Sequence, residues 1–340
     1  MTHARSPFVG CWLMATVFAF VVVLFYRLED GDAYPIYYGA QVLLRGESPY
    51  SEGVTRHLAQ AWAPGVNKKA VPVIAYPMPV MISFIPLALL PPMVASFVWI
   101  WVSVFLVSVS LGREKLQLAL LPLFFLPFYQ TLLVQNVSLM WCGLSFLLLS
   151  RKAPCVSSGV LLALLLFKPQ EGIVVALYCL YRWRHERSVV LPFVGSLVLL
   201  LLASFYCLPT WVTEWLSCVR QYSDRTVMIW LGALALVLAL PGIPVTVRVV
   251  GLQALLFPLN DLYRTTLLLY GWAQVKLIPQ LLVLASFSAL LWGSDFNSPS
   301  TLLCCVVLPF LLVVILGSRR DGIFEDESAD DQPTVGSKSA

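Results

Sequence analysis

Val160-Leu161-Leu162-Ala163-Leu164-Leu165-Leu166-Phe167-Lys168-Pro169-Gln170 is the stretch on which the reading of the fold turns. An unbroken apolar run ends in a cation, a helix-breaking proline and an amide. Such a run is a buried or lipid-facing helix, and a lysine at its end is costly at membrane depth without a partner. Two readings of Lys168 stay open: its ammonium snorkels to the interface on an aliphatic stem, or it is a fixed counter-charge for a phosphate. Outward from here the pattern recurs. Asp30 and Asp32, Tyr76-Pro77 and Gln135-Asn136 fall at the same end of successive apolar segments as Lys168. The cationic clusters Arg113/Lys115, Arg151/Lys152, Arg182/Arg184/Arg187 and Arg319/Arg320 fall at the opposite ends.

Composition agrees. Charged residues make up 12% of the chain and hydrophobic residues 59%, with a mean hydropathy of +0.83; a soluble domain carries about 25% charged residues. The chain therefore reads as an all-α polytopic membrane protein. Its net charge of +4 follows from basic cytoplasmic loops and points to no nucleic-acid partner. The eight cysteines form no C-x-x-C pair and only three histidines are present, so no metal or other cofactor is expected. Most of the cysteines read as small hydrophobes. Cys218 falls in an outer loop as a candidate free thiol, and no disulfide is expected.

The positive-inside rule places the N-terminus in the cytoplasm. The first span, 8–26, has no small-x-small cleavage pattern after it and reads as uncleaved. Residues 27–76 lie outside and include an interfacial helix, Pro35 to Leu44, with Tyr37, Tyr38, Val42 and Leu43 available to the membrane. The apolar piece 80–90 is too short to span and reads as re-entrant or surface-lying. Further spans are expected at 93–111, 116–133, 137–150, 155–167, 171–181, 189–207, 227–240, 245–257, 262–275, 277–292 and 301–317. That gives about 12 transmembrane helices with both termini cytoplasmic. Residues 1–318 form one transmembrane domain with an outer loop at 27–92, and 319–340 an acidic, solvated tail.

Each polar motif has a plain reading and a chemical one. Asp30 and Asp32 are a membrane-boundary acid pair, or they hold a carboxylate beside lipid headgroups, where partial desolvation makes a carboxylate a stronger base. Gln135-Asn136 is a polar turn, or a pair of amides that bind sugar hydroxyls. Its Asn-Val-Ser triplet is read as an accidental sequon. Arg264 beside Asp261, with Arg220 and Arg225, offers alternative phosphate partners. Tyr263, Trp211 and Trp215 belong to an interfacial aromatic belt or stack on sugar rings.

On these residues the chain resembles glycosyltransferase family 87. The run Asp32-Ala33-Tyr34-Pro35-Ile36-Tyr37-Tyr38-Gly39-Ala40 through Leu43-Leu44-Arg45-Gly46-Glu47-Ser48-Pro49-Tyr50 is similar to the family's first outer loop. Tyr76-Pro77-Met78-Pro79 with Pro86-Leu87-Ala88-Leu89-Leu90-Pro91 resembles its Tyr-Pro-Pro and Pro-Leu-x-x-Leu-Pro segments. Gln135-Asn136 resembles its Gly-Gln-x-Asn loop, with Val134 in the place of the glycine. Gly159 to Lys168-Pro169 and Arg182-Trp183-Arg184 resemble its Gly-rich helix and basic turn. The likeness covers about residues 25–190, and the C-terminal half reads as generic beyond Pro258 to Tyr263.

The resemblance implies a GT-C-type membrane hexosyltransferase moving a sugar, in first place mannose, from a polyprenyl phosphate to a lipid-linked or glycolipid acceptor on the extracytoplasmic side. Inverting transfer would use Asp32 as general base, with Asp30 as the fallback. Lys168, with Arg264, would hold the donor phosphate. Gln135 and Asn136 would orient sugar hydroxyls, and Tyr37, Tyr76, Gln170 and Asp261 would complete the substrate site. The rivals are a transporter or lipid flippase, for which Arg248 is the best mid-span cation, and an inactive family member acting as a subunit.

Overall fold

The computed structural model describes residues 7–61, 72–114, 116–223, 232–257, 262–274, 284 and 303–319. Among them every regular element is helical. In chain order the α-helices are α1 (Pro7–Phe25), α2 (Tyr34–Leu44), α3 (Glu52–Ala61), α4 (Met78–Ala88), α5 (Pro92–Glu114), α6 (Leu126–Leu133) and α7 (Ser138–Leu149). They continue with α8 (Val156–Leu166), α9 (Pro169–Arg182), α10 (Arg187–Cys207), α11 (Trp211–Ser223), α12 (Val245–Leu256), α13 (Leu268–Ala273) and α14 (Leu308–Arg319).

Three of these, α1, α5 and α10, are long and apolar enough to cross a membrane. Helices α1 and α10 turn large apolar side chains outward: Val17, Phe20 and Phe25 on the first, Leu191, Leu199 and Leu202 on the second. Apolar faces of that extent stand in lipid, where a helix satisfies its own backbone. Inside them, α5 lies between α1 and α7, α8 packs on α10, and α9 touches α7, α8 and α12. Helix α8 has 11 residues, a length of roughly 17 Å and about half a hydrocarbon layer. Its Lys168 end therefore stops inside protein.

Several expectations are corrected. The span expected at 116–133 is two pieces, a 3-10 helix over Leu116–Phe124 and then α6, parted by extended Phe125. Pro127 lacks the N–H that would have bonded back across the break to Leu123. The described part of the 227–240 span is likewise a 3-10 helix, Gly232–Ala239. Helix α2 forms where expected but does not offer Tyr37, Val42 and Leu43 to lipid. All three are buried, and α2 packs on α4, whose short apolar surface takes that face. The loop after α10 carries a helix of its own, α11, in which Cys218 is a buried free thiol. The span expected at 277–292 lies outside the described residues apart from Leu284, and the tail beyond Arg319 lies outside them entirely.

Candidate active site

The break between α8 and α9 is written in Lys168-Pro169. Proline has no N–H and drives the preceding residue out of the helical region, and Lys168 sits at φ −125°, ψ 71°. Pro169 then opens α9 at a position where no donor is needed. The turn leaves Lys168 buried, and the snorkelling reading falls. Its Nζ donates to Ser138 Oγ at 2.9 Å and pairs with Glu171 Oε1 at 2.5 Å. The ammonium also stands 5.6 Å from the Tyr76 ring centre and 5.9 Å from that of Trp141, within cation–π range.

Ser138 carries the network to α7. It is the first residue of that helix, and its hydroxyl donates to Glu171 Oε1. Its N–H, one of the helix's orphan donors, is taken by Asn136 Oδ1 at 2.8 Å. The other end of the same amide, Asn136 Nδ2, donates to Asp32 Oδ2 at 2.8 Å. One continuous run of contacts thus joins Asp32, Asn136, Ser138 and Lys168/Glu171, entering Ser138 at its backbone N–H and leaving by its hydroxyl. The N-termini of α7 and α9 converge on it, and their partial positive charge favours an anion there.

The backbone under Asp32 is fixed separately. Asp32 N–H donates to Val134 O at 2.8 Å. Gln135 adopts φ +49°, with Oε1 accepting from Ser96 Oγ at 2.7 Å and Nε2 donating to Arg27 O at 3.1 Å. A Cβ on Gly31 would lie 2.8 Å from Gln135 Cβ, so only glycine lets the two loops meet this closely. Gln135, expected to orient sugar hydroxyls, joins the loops through both ends of its amide. Asp30 and Asp32 also part company. Asp30 Oδ2 accepts Arg27 N–H at 3.3 Å within its own 3-10 turn, Leu28–Asp30; Asp32 is the one joined to Lys168.

The remaining sequence candidates scatter around this chain. Tyr37 donates its hydroxyl to Leu90 O at 2.7 Å and accepts from Gln41 Nε2 at 2.9 Å, tying α2 to the end of α4. Burial raises the Tyr34 and Tyr37 phenols above their ordinary range, which keeps them neutral. Tyr76 gives its ring to Lys168, and its carbonyl accepts Tyr50 OH at 2.9 Å. Helix α11 is fastened nearby by Trp215 Nε1 to Ala75 O at 3.1 Å and by Glu214, which accepts Ser48 Oγ and Thr210 Oγ1, each at 2.5 Å. Gln170 lines a small cavity with Cys142, Glu171, Gln253, Ala254 and Leu267. Asp261 and Arg225 lie outside the described residues, as do the side chains of Arg264 and Tyr263.

Sequence reasoning missed Ser138 and Glu171. A serine in an apolar helix gives no signal. Glu171 did give one, since it stands three residues after Lys168, a spacing that puts helix neighbours in contact. Burying both charges costs several kcal/mol per ion, roughly, before their attraction is counted. A pair kept at that expense in a site of converging helix N-termini is a candidate for chemistry.

The comparisons bear on what that chemistry is. No curated protein and no solved structure matches the chain. The sequence model of glycosyltransferase family 87 matches residues 74–316. That range takes in Tyr76, Asn136, Ser138, Lys168 and Glu171 and most of the C-terminal half that had read as generic, and it begins downstream of Asp32. The chain belongs to glycosyltransferase family 87.

Proposed function

We propose that the protein is a GT-C-type hexosyltransferase that moves mannose from a polyprenyl-phosphate donor to a lipid-linked or glycolipid acceptor at the extracytoplasmic side of the cell membrane, with about 12 spans and both termini cytoplasmic. The observation that carries this reading is the run of hydrogen bonds from Asp32 through Asn136, the Ser138 backbone N–H and the Ser138 hydroxyl to Lys168. It links a carboxylate to a buried cation across a few hydrogen bonds, the pairing that transfer from a sugar phosphate needs.

The acceptor oxygen attacks the anomeric carbon from the face opposite the phosphate, and the bond from that carbon to the phosphate oxygen breaks with inversion. The acceptor proton passes to Asp32. The electron pair leaves with the phosphate, whose growing charge Lys168 and the helix N-termini stabilise. Asn136, donating to Asp32 Oδ2, holds the carboxylate in place for that transfer. The described part of the chain offers less to a transporter. Arg248 donates to Ile243 O and Leu240 O, both at 3.0 Å, and so caps a turn.

The test uses the purified chain in nanodiscs with radiolabelled polyprenyl-phosphate-mannose and a lipid extract as acceptor. Label appearing on a new lipid in proportion to enzyme is the expected result. Label that crosses the bilayer of a proteoliposome with its sugar still on the original phosphate would assign the protein to transport instead.

A further inference from the structure

We infer that Glu171 is a built-in stand-in for the lipid phosphate: its carboxylate occupies the anion seat on Lys168 when no donor is bound and must give way for the donor to enter. The inference rests on the proposed role of Lys168 and goes beyond it by assigning a function to Glu171, which has no part in that role.

The geometry gives three reasons. First, Glu171 Oε1 holds the contacts a phosphate oxygen would want: the Lys168 ammonium at 2.5 Å and the Ser138 hydroxyl. It does so in the first turn of α9, facing the first residue of α7, where both helix ends favour an anion. Second, the carboxylate is half-satisfied. Its Oε2 is buried without a hydrogen-bond partner among the described residues, and a buried acceptor in that state is a weak anchor. Third, a polar group stands beside it. Glu171 lines a cavity of about one water's size with Gln170, Gln253, Cys142, Ala254 and Leu267, and the half-buried Gln170 offers an amide donor on its wall; displacing the carboxylate requires that cavity to widen.

Charge supplies the logic. A sugar phosphodiester carries one negative charge, and the phosphate monoester left after transfer carries closer to two near neutral pH. A bare Lys168 would hold that product tightly. A tethered carboxylate competes for the same cation at every turnover, shields it in the empty site, and helps expel the product. Glu171 thus acts through Lys168 as a positioning residue; it is not a catalytic group.

Equilibrium binding of polyprenyl phosphate to the full-length protein in nanodiscs tests this, with wild type compared with Glu171→Gln and Lys168→Met. The expected result is tighter binding by Glu171→Gln, by roughly tenfold or more for the removal of one competing charge at contact distance, and weaker binding by Lys168→Met. In the transfer assay the same Glu171→Gln variant should show a lower donor KM and a lower kcat, limited by product release. A glutamate that only braced the fold would give weaker binding on substitution. Unchanged or weaker binding by a folded Glu171→Gln overturns the inference. If that variant does not fold, Glu171→Asp keeps the charge but withdraws it by one methylene, and it must also bind more tightly than wild type or the inference fails. Should Lys168→Met bind polyprenyl phosphate as well as wild type does, the phosphate role of Lys168 falls as well. Loss of the Glu171 effect alone leaves that role standing.

Discussion

At the scale of the residue, the buried pair sets the terms. Lys168→Met alone strands Glu171 as an unpaired buried charge, and a loss of about 3–5 kcal/mol is expected. Adding Glu171→Gln removes the stranded charge, so the double variant should melt close to wild type in a detergent thermal-shift measurement, while the single Lys168 variant melts well below it. A second prediction concerns Cys155, in the loop before α8. Hydrogen bonds from Ser157 and then Ser158 lower its thiol to about 7, with Arg151 adding to the effect. An acid with a lowered pKa ionises earlier as pH rises. Site-resolved alkylation of Cys155 by iodoacetamide should therefore climb with a midpoint about 7, and Ser157→Ala with Ser158→Ala should move that midpoint upward. Residues of this kind were unevenly legible in the sequence. Asp32, Asn136 and Lys168 stood out because polar groups beside apolar runs call for partners. Gln135 was noticed, but its part in joining two loops was not, since a left-handed backbone at a non-glycine residue leaves no trace in composition. Ser138 was invisible for the same kind of reason: its role comes from heading a helix, and only the fold says where α7 starts.

At the scale of the element, seams between helices carry the architecture. A Cβ on Gly159 of α8 would stand 2.3 Å from Val189 O and 2.8 Å from Phe193 N, both on α10. Backbone cannot yield as a flexible side chain does, so Gly159→Val should cost at least about 1–3 kcal/mol and lower the melting temperature. Gly195 on α10 has no atom within 4 Å of such a Cβ. Gly195→Ala should leave the protein as stable or add up to about 1 kcal/mol through helix propensity. The same melting series checks both. The long helices were readable from hydropathy: α1, α5 and α10 begin and end close to the expected spans, because an uninterrupted apolar run of about 20 residues has few other solutions. The face of α2 was not readable. Tyr37, Val42 and Leu43 suit lipid and protein equally, and only the position of α4 decides between them.

At the scale of the whole molecule, helices α7, α8 and α9 are short, and their polar ends meet where longer spans would have carried them apart. The family match from 74 to 316 covers the Lys168 half of the site, while Asp32 enters through its contact with Asn136. The claim that matters most is that these two halves serve one ligand. Sugar transfer from polyprenyl-phosphate-mannose by purified wild type, Asp30→Asn and Asp32→Asn, measured at saturating donor, tests it directly. The account predicts that Asp32→Asn lowers kcat by about 10²–10⁴ with the donor KM little changed, and that Asp30→Asn, altered only in a local turn, retains most of its activity. An Asp32→Asn enzyme that turns over at the wild-type rate would contradict it.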